Sequence, residues 1–205
     1  MTTTLGRFIA FEGGEGCGKS TQAERLARSL DAVLTREPGA TAVGAALRAL
    51  LLDPATGPVD PRTEALLMAA DRAQHVAEVV WPALAAGRHV VTDRYAGSSL
   101  AYQGFGRGLP VDEVRRLSAW ASDDLWPDLV VLLAVPADVA ARRLGDDLDR
   151  FEQEGDGFHA RVEAGFQTLA ADDPERWVVV DGTAPPDEVA AAVARVVAER
   201  LQLAG

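Results

Sequence analysis

Short apolar runs recur along the chain at Phe8 to Phe11, Ala32 to Thr35, His89 to Thr92, Leu129 to Val135 and Trp177 to Val180, and each gives way to a helical period. Strands covered on both faces read as near-continuous apolar stretches, so five such runs separated by helical segments predict a mostly parallel sheet with helices on either side. The helical period is clearest after Pro185 and Pro186, where Val189, Val193, Val196, Val197 and Leu201 form one apolar stripe that can pack on the sheet. The longest helical stretch is expected from about Pro61 to Ala86, with Pro58 ahead of it and Gly87 behind. No repeat, low-complexity tract or linker interrupts the pattern. A length of 205 residues suits one α/β domain better than two, so a single domain over 1–205 is expected.

Composition narrows the class. The longest apolar run, Leu129 to Val135, is far too short to cross a bilayer, and Met1 to Gly6 lack the basic and apolar segments of a secretory signal. A soluble cytoplasmic protein without membrane contact is the expectation. The single cysteine, Cys17, excludes an internal disulfide and a cysteine-rich metal site. A formal charge of −11 argues against binding nucleic acid polymers. If the ligand is a small anion, the fold must gather arginines that are dispersed in the sequence.

Chemistry enters at residues 13–20, GGEGCGKS, which fit G-x-x-x-x-G-K-[ST] between a predicted strand and a predicted helix. Glycines there allow successive N–H groups to turn inward around a phosphate, and the helix that follows adds the positive end of its dipole. A glycine-rich turn without a ligand is the plain alternative; the flanking strand and helix favour the phosphate reading. ATP would be held by Gly13, Gly14, Glu15, Gly16, Cys17, Gly18, Lys19, Ser20 and Thr21. Lys19 would bridge the β- and γ-phosphates, and Ser20 with Asp93 would hold Mg²⁺. Lys19 is the only lysine among twenty basic residues. A compact ammonium suits a narrow cradle where the planar fork of arginine does not. This setting predicts the three-layer P-loop NTPase fold: α/β, with a five-stranded parallel sheet flanked by helices.

The chain contains no asparagine, so it cannot supply the Asn-Lys-x-Asp loop with which GTP switches read guanine. An ATPase motor would usually place glutamate after the acidic residue at the end of a neighbouring strand; here Asp93 is followed by Arg94. Arginine is no general base, but it can hold a second phosphate, as a kinase for a phosphorylated acceptor requires.

At this point the chain resembles bacterial thymidylate kinase nearly end to end, through FEGGEGCGKSTQ at 11–22, TREPG at 35–39, EALLMAADRAQH at 64–75, DRYAGSSLAYQGFGRGL at 93–109, PDL at 127–129 and DRFEQEGDGFHARV at 149–162. The resemblance implies transfer of the γ-phosphoryl group of Mg-ATP to dTMP, giving dTDP and ADP, by a homodimer joined through helical faces. Other readings are another nucleotide or deoxynucleoside kinase, or a catalytically silent nucleotide sensor, whose mark would be a damaged Lys19, Asp93 or Arg94. The resemblance assigns Glu15 to the acceptor sugar's 3′-hydroxyl and Arg36, Arg48 and Arg94 to the acceptor phosphate. It assigns Arg72 to a thymine carbonyl, Ser99 and Gln103 to the base's polar edge, and Tyr102 to the space near C2′. Asp71 and Gln74 read as helix-packing polar residues, with Asp71 a candidate to orient an arginine. A mobile lid at about 142–156 would bring a catalytic arginine, Arg143 or Arg150, with Lys19 and Arg94 completing the catalytic set; Arg142 reads as an exposed control and Asp149 as structural or magnesium-associated. Three positions depart from the family pattern: Gly145 where an arginine is common, Met68 where a phenylalanine stacks on thymine, and Phe166 where tyrosine is frequent.

Overall fold

The computed structural model describes residues 5–145 and 148–203. Asp146 and Asp147 of the expected lid lie outside the described residues, as do Met1 to Thr4. Five strands, β1 (Phe8–Glu12), β2 (Val33–Arg36), β3 (Val90–Asp93), β4 (Leu129–Ala134) and β5 (Trp177–Asp181), form one sheet in the order β2-β3-β1-β4-β5. All pairs are parallel. The expected strands are all present, with ends that differ by a residue or so.

Alternation along β1 explains the three layers, because successive side chains leave a strand on opposite faces. Phe8 and Ala10 face a core with Val90, Val130, Leu132 and the rings of Tyr95 and Phe166. Ile9 and Phe11 face the other, with Val91, Val131 and Leu133. That second core is closed by α1 (Lys19–Ser29) and by the stripe Val189, Val193 and Val197 of the C-terminal helix, in which Val196 is only half-buried. Each large apolar side chain fully buried here stabilises the fold by about 1.5–3 kcal/mol.

On the first face lie the elements that build the site. They are α2 (Ala42–Leu52), α3 (Pro61–His75), α4 (Trp81–Ala85), α5 (Ala96–Ser99), α6 (Val111–Ala121) and α8 (Asp156–Asp172), with α9 (Pro186–Leu201) on the opposite face and α7 (Ala137–Arg143) beside the loop that follows β1. The stretch expected as one helix from Pro61 to Ala86 is α3 and α4 joined by a π-turn at Val76–Val80. Pro82 has no N–H to donate and its ring would crowd the carbonyl four residues earlier, which a wider turn relieves. Asp60 caps α3, its Oδ1 accepting from Arg62 N at 2.9 Å, and Pro61 starts it with a preset φ. A second π segment, Leu100–Gly106, continues α5 and carries Tyr102 and Gln103.

Register then assembles the chemistry. Phe11 and Arg36 both lie level with Asp93, so the segments leaving β1, β2 and β3 meet at one sheet edge. There β1 is flanked by β3 and β4, the crevice where open α/β sheets take ligands.

Candidate active site

The loop between β1 and α1 wraps around its own lysine. Lys19 is buried, and its Nζ donates to Gly14 O at 2.6 Å and lies 3.5 Å from Cys17 Sγ. Gly16 holds a φ of 68°, and a Cβ there would sit 2.5 Å from Ala140 O of α7, so both backbone conformation and space require glycine. Ser20 Oγ donates to Asp93 Oδ2 at 2.5 Å. Asp93 Oδ1 is buried with no partner among the described residues. Cys17 is buried and packs in the core cluster of Ile9, Phe11 and Leu133 beneath the loop.

Arg94, directly after β3, ties the loop to the first-face helices. Its backbone has a φ of 69°, which directs the side chain across the sheet edge. Nη1 donates to Gly13 O at 3.0 Å and Ser98 Oγ at 2.9 Å, while Nη2 donates to Glu15 Oε1 at 2.6 Å and Tyr102 Oη at 3.2 Å. Tyr102 Oη itself donates to Glu15 Oε1 at 2.8 Å. Burial would raise the Glu15 carboxyl, but Arg94 and Lys19 outweigh it and hold its pKa down to about 2. Glu15 is therefore a carboxylate at any working pH.

Glu12 behaves in the opposite way. It ends β1 fully buried and accepts from Tyr95 N and Ser98 N, both at 3.0 Å, and from Ser98 Oγ at 2.6 Å. Burial pushes its pKa up to about 7, against the lowering effect of Ser98 and Arg94. A folded-state pKa raised from the usual 4.5 gives stability that is full below that value and is lost as pH rises through about 7. Glu12→Gln, which keeps the shape without the charge, should therefore gain stability relative to the parent as pH rises from about 5 to about 8, by roughly 3 kcal/mol at most. Thermal melts of both proteins across that range would show it; a difference that does not change with pH would refute it.

The gathering of arginines demanded by the negative chain does occur. Arg36, Arg48, Arg94 and Arg143 line one cleft of about 450 Å³ together with Lys19, Ser20 and Asp93. Arg48, on α2, donates from Nη1 to Pro38 O at 2.9 Å, and its pKa is lowered by burial and by Arg36 beside it. Arg143, at the end of α7, donates from both Nη1 and Nη2 to Gly182 O at 3.1 Å. Arg142 is exposed and pairs with Asp138 one turn away. Arg150 is not brought to this cleft. Its Nε donates to Leu51 O at 2.7 Å and its Nη2 to Glu64 Oε2 at 2.7 Å, on the far side of the neighbouring pocket. Asp149 accepts from Phe151 N and Glu152 N and so caps the turn that Arg150 occupies.

That neighbouring pocket opens on Glu15 and Arg94 and is walled by Met68, Tyr102 and Phe151, with Arg72 and Gln103 on its polar side. Tyr102 is buried, its ring edge-on to Phe151 at 5.7 Å and to Phe166 at 6.1 Å. Phe166 belongs to the core and does not line the pocket. Arg72, almost wholly buried, donates from Nε to Glu37 Oε2 at 3.0 Å, from Nη1 to Ser118 Oγ at 3.1 Å and from Nη2 to Ser99 Oγ at 3.0 Å. Glu37 Oε1 in turn meets His75 Nδ1 at 2.8 Å, and His75 Nε2 lies 2.7 Å from Thr35 Oγ1.

Glu37 thus orients the arginine. Asp71 instead accepts from Gly39 N at 2.9 Å, and burial, reinforced by Glu37, pushes its pKa up to about 6. Gln74 lies toward the surface and bonds Glu78. Glu37, Ser98, Glu12 and Phe151 were not singled out by sequence reasoning. Glu37 and Phe151 stand inside the blocks TREPG and DRFE, where adjacency to known motif residues was the only available signal.

Comparison with known proteins agrees with this geometry. The family model described as thymidylate kinase matches residues 11–193. A thymidylate kinase of Leifsonia xyli is 50% identical over 200 residues, covering 94% of each chain. One of Bifidobacterium longum is 48% identical over 196 residues, covering 92% of this chain and 95% of that one. Among solved structures, thymidylate kinase from Ehrlichia chaffeensis superimposes with a TM-score of 0.79 at 29% identity, over 94% of this chain and 99% of that chain. A phosphate loop closed around one lysine, an arginine cluster at its mouth and a walled pocket alongside are thus joined to a match that runs almost the whole length, and the chain belongs to the thymidylate kinase family.

Proposed function

We propose that the protein transfers the γ-phosphoryl group of ATP to the phosphate of dTMP, giving ADP and dTDP. The observation that carries this reading is the contact between the two pockets through Glu15 and Arg94, which sets a phosphate loop beside a site for a second, phosphorylated molecule. A silent sensor is disfavoured because Lys19, Asp93 and Arg94 are all intact.

In this reading the N–H groups of residues 13–21 cradle the donor phosphates, and Lys19 leaves Gly14 O to bridge the β- and γ-oxygens. Arg36, Arg48 and Arg94 hold the acceptor phosphate so that its oxygen attacks in line, with no covalent enzyme intermediate. Glu15, fixed as a carboxylate, accepts from the acceptor's 3′-hydroxyl. Arg72 donates to a base carbonyl, and Tyr102 crowds C2′. Met68 and Phe151 cover the base, Phe151 supplying the ring that position 68 lacks. Arg143 carries the lid charge.

The residues also fit Mg²⁺. Asp93 keeps a buried oxygen without a partner beside the Ser20 hydroxyl, and no cluster of three or more acidic, histidine or cysteine residues occurs among the described residues. One carboxylate and one hydroxyl completed by phosphate oxygens and water is how Mg²⁺ is usually held, and bound there it would offset charge on the β- and γ-phosphates. Two exposed side chains, Leu66 on α3 at 57% and Trp120 on α6 at 83%, support a homodimer through these helices. No helix among the described residues is long and apolar enough to cross a membrane.

An ADP-release assay with dTMP, dUMP, dCMP and dGMP tests the assignment. dTMP should lead, with dUMP weaker by roughly 10- to 200-fold in kcat/KM, the usual effect of one methyl group in an apolar pocket. Faster turnover of dCMP or dGMP would overturn the choice of acceptor.

A further inference from the structure

Glu64 lies on α3 with none of its surface exposed, and the reaction described above leaves it without a role. Its two oxygens receive four N–H donors. Gln103 Nε2 at 3.0 Å and Arg107 Nε at 3.1 Å reach Oε1; Arg107 Nη2 at 3.0 Å and Arg150 Nη2 at 2.7 Å reach Oε2. A carboxylate between two guanidiniums only accepts, so Gln103 must turn its NH₂ toward it. The other end of the amide, Oε1, is buried with no partner among the described residues. Gln103 lines the acceptor pocket beside Arg72 and Ser99, and Glu64 stands behind it. Arg72, which can only donate, lines the same pocket, so a donor and an orphaned acceptor belong to one lining.

We propose that Glu64 is a positioning residue that sets the identity of the acceptor base: by holding Gln103 Nε2 it presents Oε1 to the pocket, which then selects a ring N–H next to a carbonyl. That edge belongs to the imide of thymine and uracil. Cytosine offers a lone pair at the ring nitrogen and an amino group where Arg72 needs an acceptor, so it is refused twice. The inference rests on the thymidylate kinase reading and deepens it. The same carboxylate also anchors Arg150, whose backbone N donates to Leu52 O at 2.9 Å, so the turn carrying Phe151 is fastened to the residue that orients the base reader.

The test compares dTMP with 5-methyl-dCMP, which keeps the methyl group and the outline but carries a lone pair in place of the ring N–H and an amino group in place of the carbonyl. The parent enzyme should prefer dTMP by roughly 100-fold or more in kcat/KM, the effect of leaving a buried acceptor unpaired and facing a lone pair. In Glu64→Gln, and in Glu64→Asp, which keeps a charge between the arginines if the first variant does not fold, that preference should fall toward unity. Loss of packing alone would lower both substrates together and leave the ratio intact. One measurement needs no variant: by NMR, the Gln103 side-chain NH₂ should be protected from solvent exchange in the nucleotide-free protein. A parent enzyme that does not discriminate, folded variants that keep the parental ratio, or an NH₂ protected only once dTMP binds would each overturn the proposal. Absence of dTMP turnover in the parent would instead bring down the thymidylate kinase reading, and the exchange measurement would still decide the amide's orientation.

Discussion

Arg143→Ala should lower kcat by roughly 10³-fold or more while leaving KM for both substrates within a few-fold, on the scale of arginine fingers in other phosphoryl-transfer enzymes. Of the arginines in the stretch proposed as a lid, Arg143 is the one, among the described residues, that lines the arginine-rich cleft. Its guanidinium is held at the cleft by a single carbonyl, Gly182 O, a neutral partner that a phosphoryl oxygen can readily replace. An interaction made only as charge builds on the transferring group lowers kcat and kcat/KM together, and that pattern separates catalysis from binding. Arg150→Ala supplies the contrast. Because Arg150 holds Leu51 O and Glu64, its loss should raise KM for dTMP and lower the melting temperature more than it lowers kcat. Full kcat in Arg143→Ala, measured with both substrates and magnesium saturating, would leave the phosphate loop to stabilise the transition state without help from this helix.

Lys19→Arg should cost roughly 10²- to 10³-fold in kcat even though the charge is conserved, comparable to removing one preorganised donor from a transition state. The ammonium is nearly enclosed, 2.6 Å from Gly14 O, in a loop whose glycines leave room for a point charge on a flexible stem. A guanidinium is wider, and its N–H groups point in fixed directions, so it would either push the loop apart or withdraw from the phosphates. Circular dichroism unchanged from the parent, together with near-parental turnover, would show that charge alone suffices at this position.

How far the molecule could be read in advance depended on the distance along the chain between interacting parts. The strands, their parallel order of use and the phosphate loop are encoded within windows of a few residues, where apolar runs, glycines and helix starts coincide. Long-range pairings are not. The blocks containing Glu37 and Arg72 were both visible, yet nothing local says that one residue turns the other; Asp71, its immediate neighbour, was the plausible orienter and binds a backbone N–H instead. Arg150 is a second case. It lies within the stretch expected as a lid, but the Asp149-capped turn that carries it docks on α2 and α3. Met68 looked like a missing aromatic until folding brought Phe151 to the same pocket from eighty-odd residues downstream.

The buried position of Lys19 also decides how the protein meets amine chemistry. With arginine at the nineteen other Lys/Arg positions, acylating reagents, aldehydes and lysine-directed cross-linkers find a single side-chain amine, and it is 6% exposed inside the glycine-rich loop. Labelling of side-chain amines at ordinary pH will therefore be slow. An electrophile carried on a nucleotide scaffold, by contrast, meets its only lysine target at the proposed donor-phosphate site, which makes covalent occupancy of that site countable by mass, one adduct per chain.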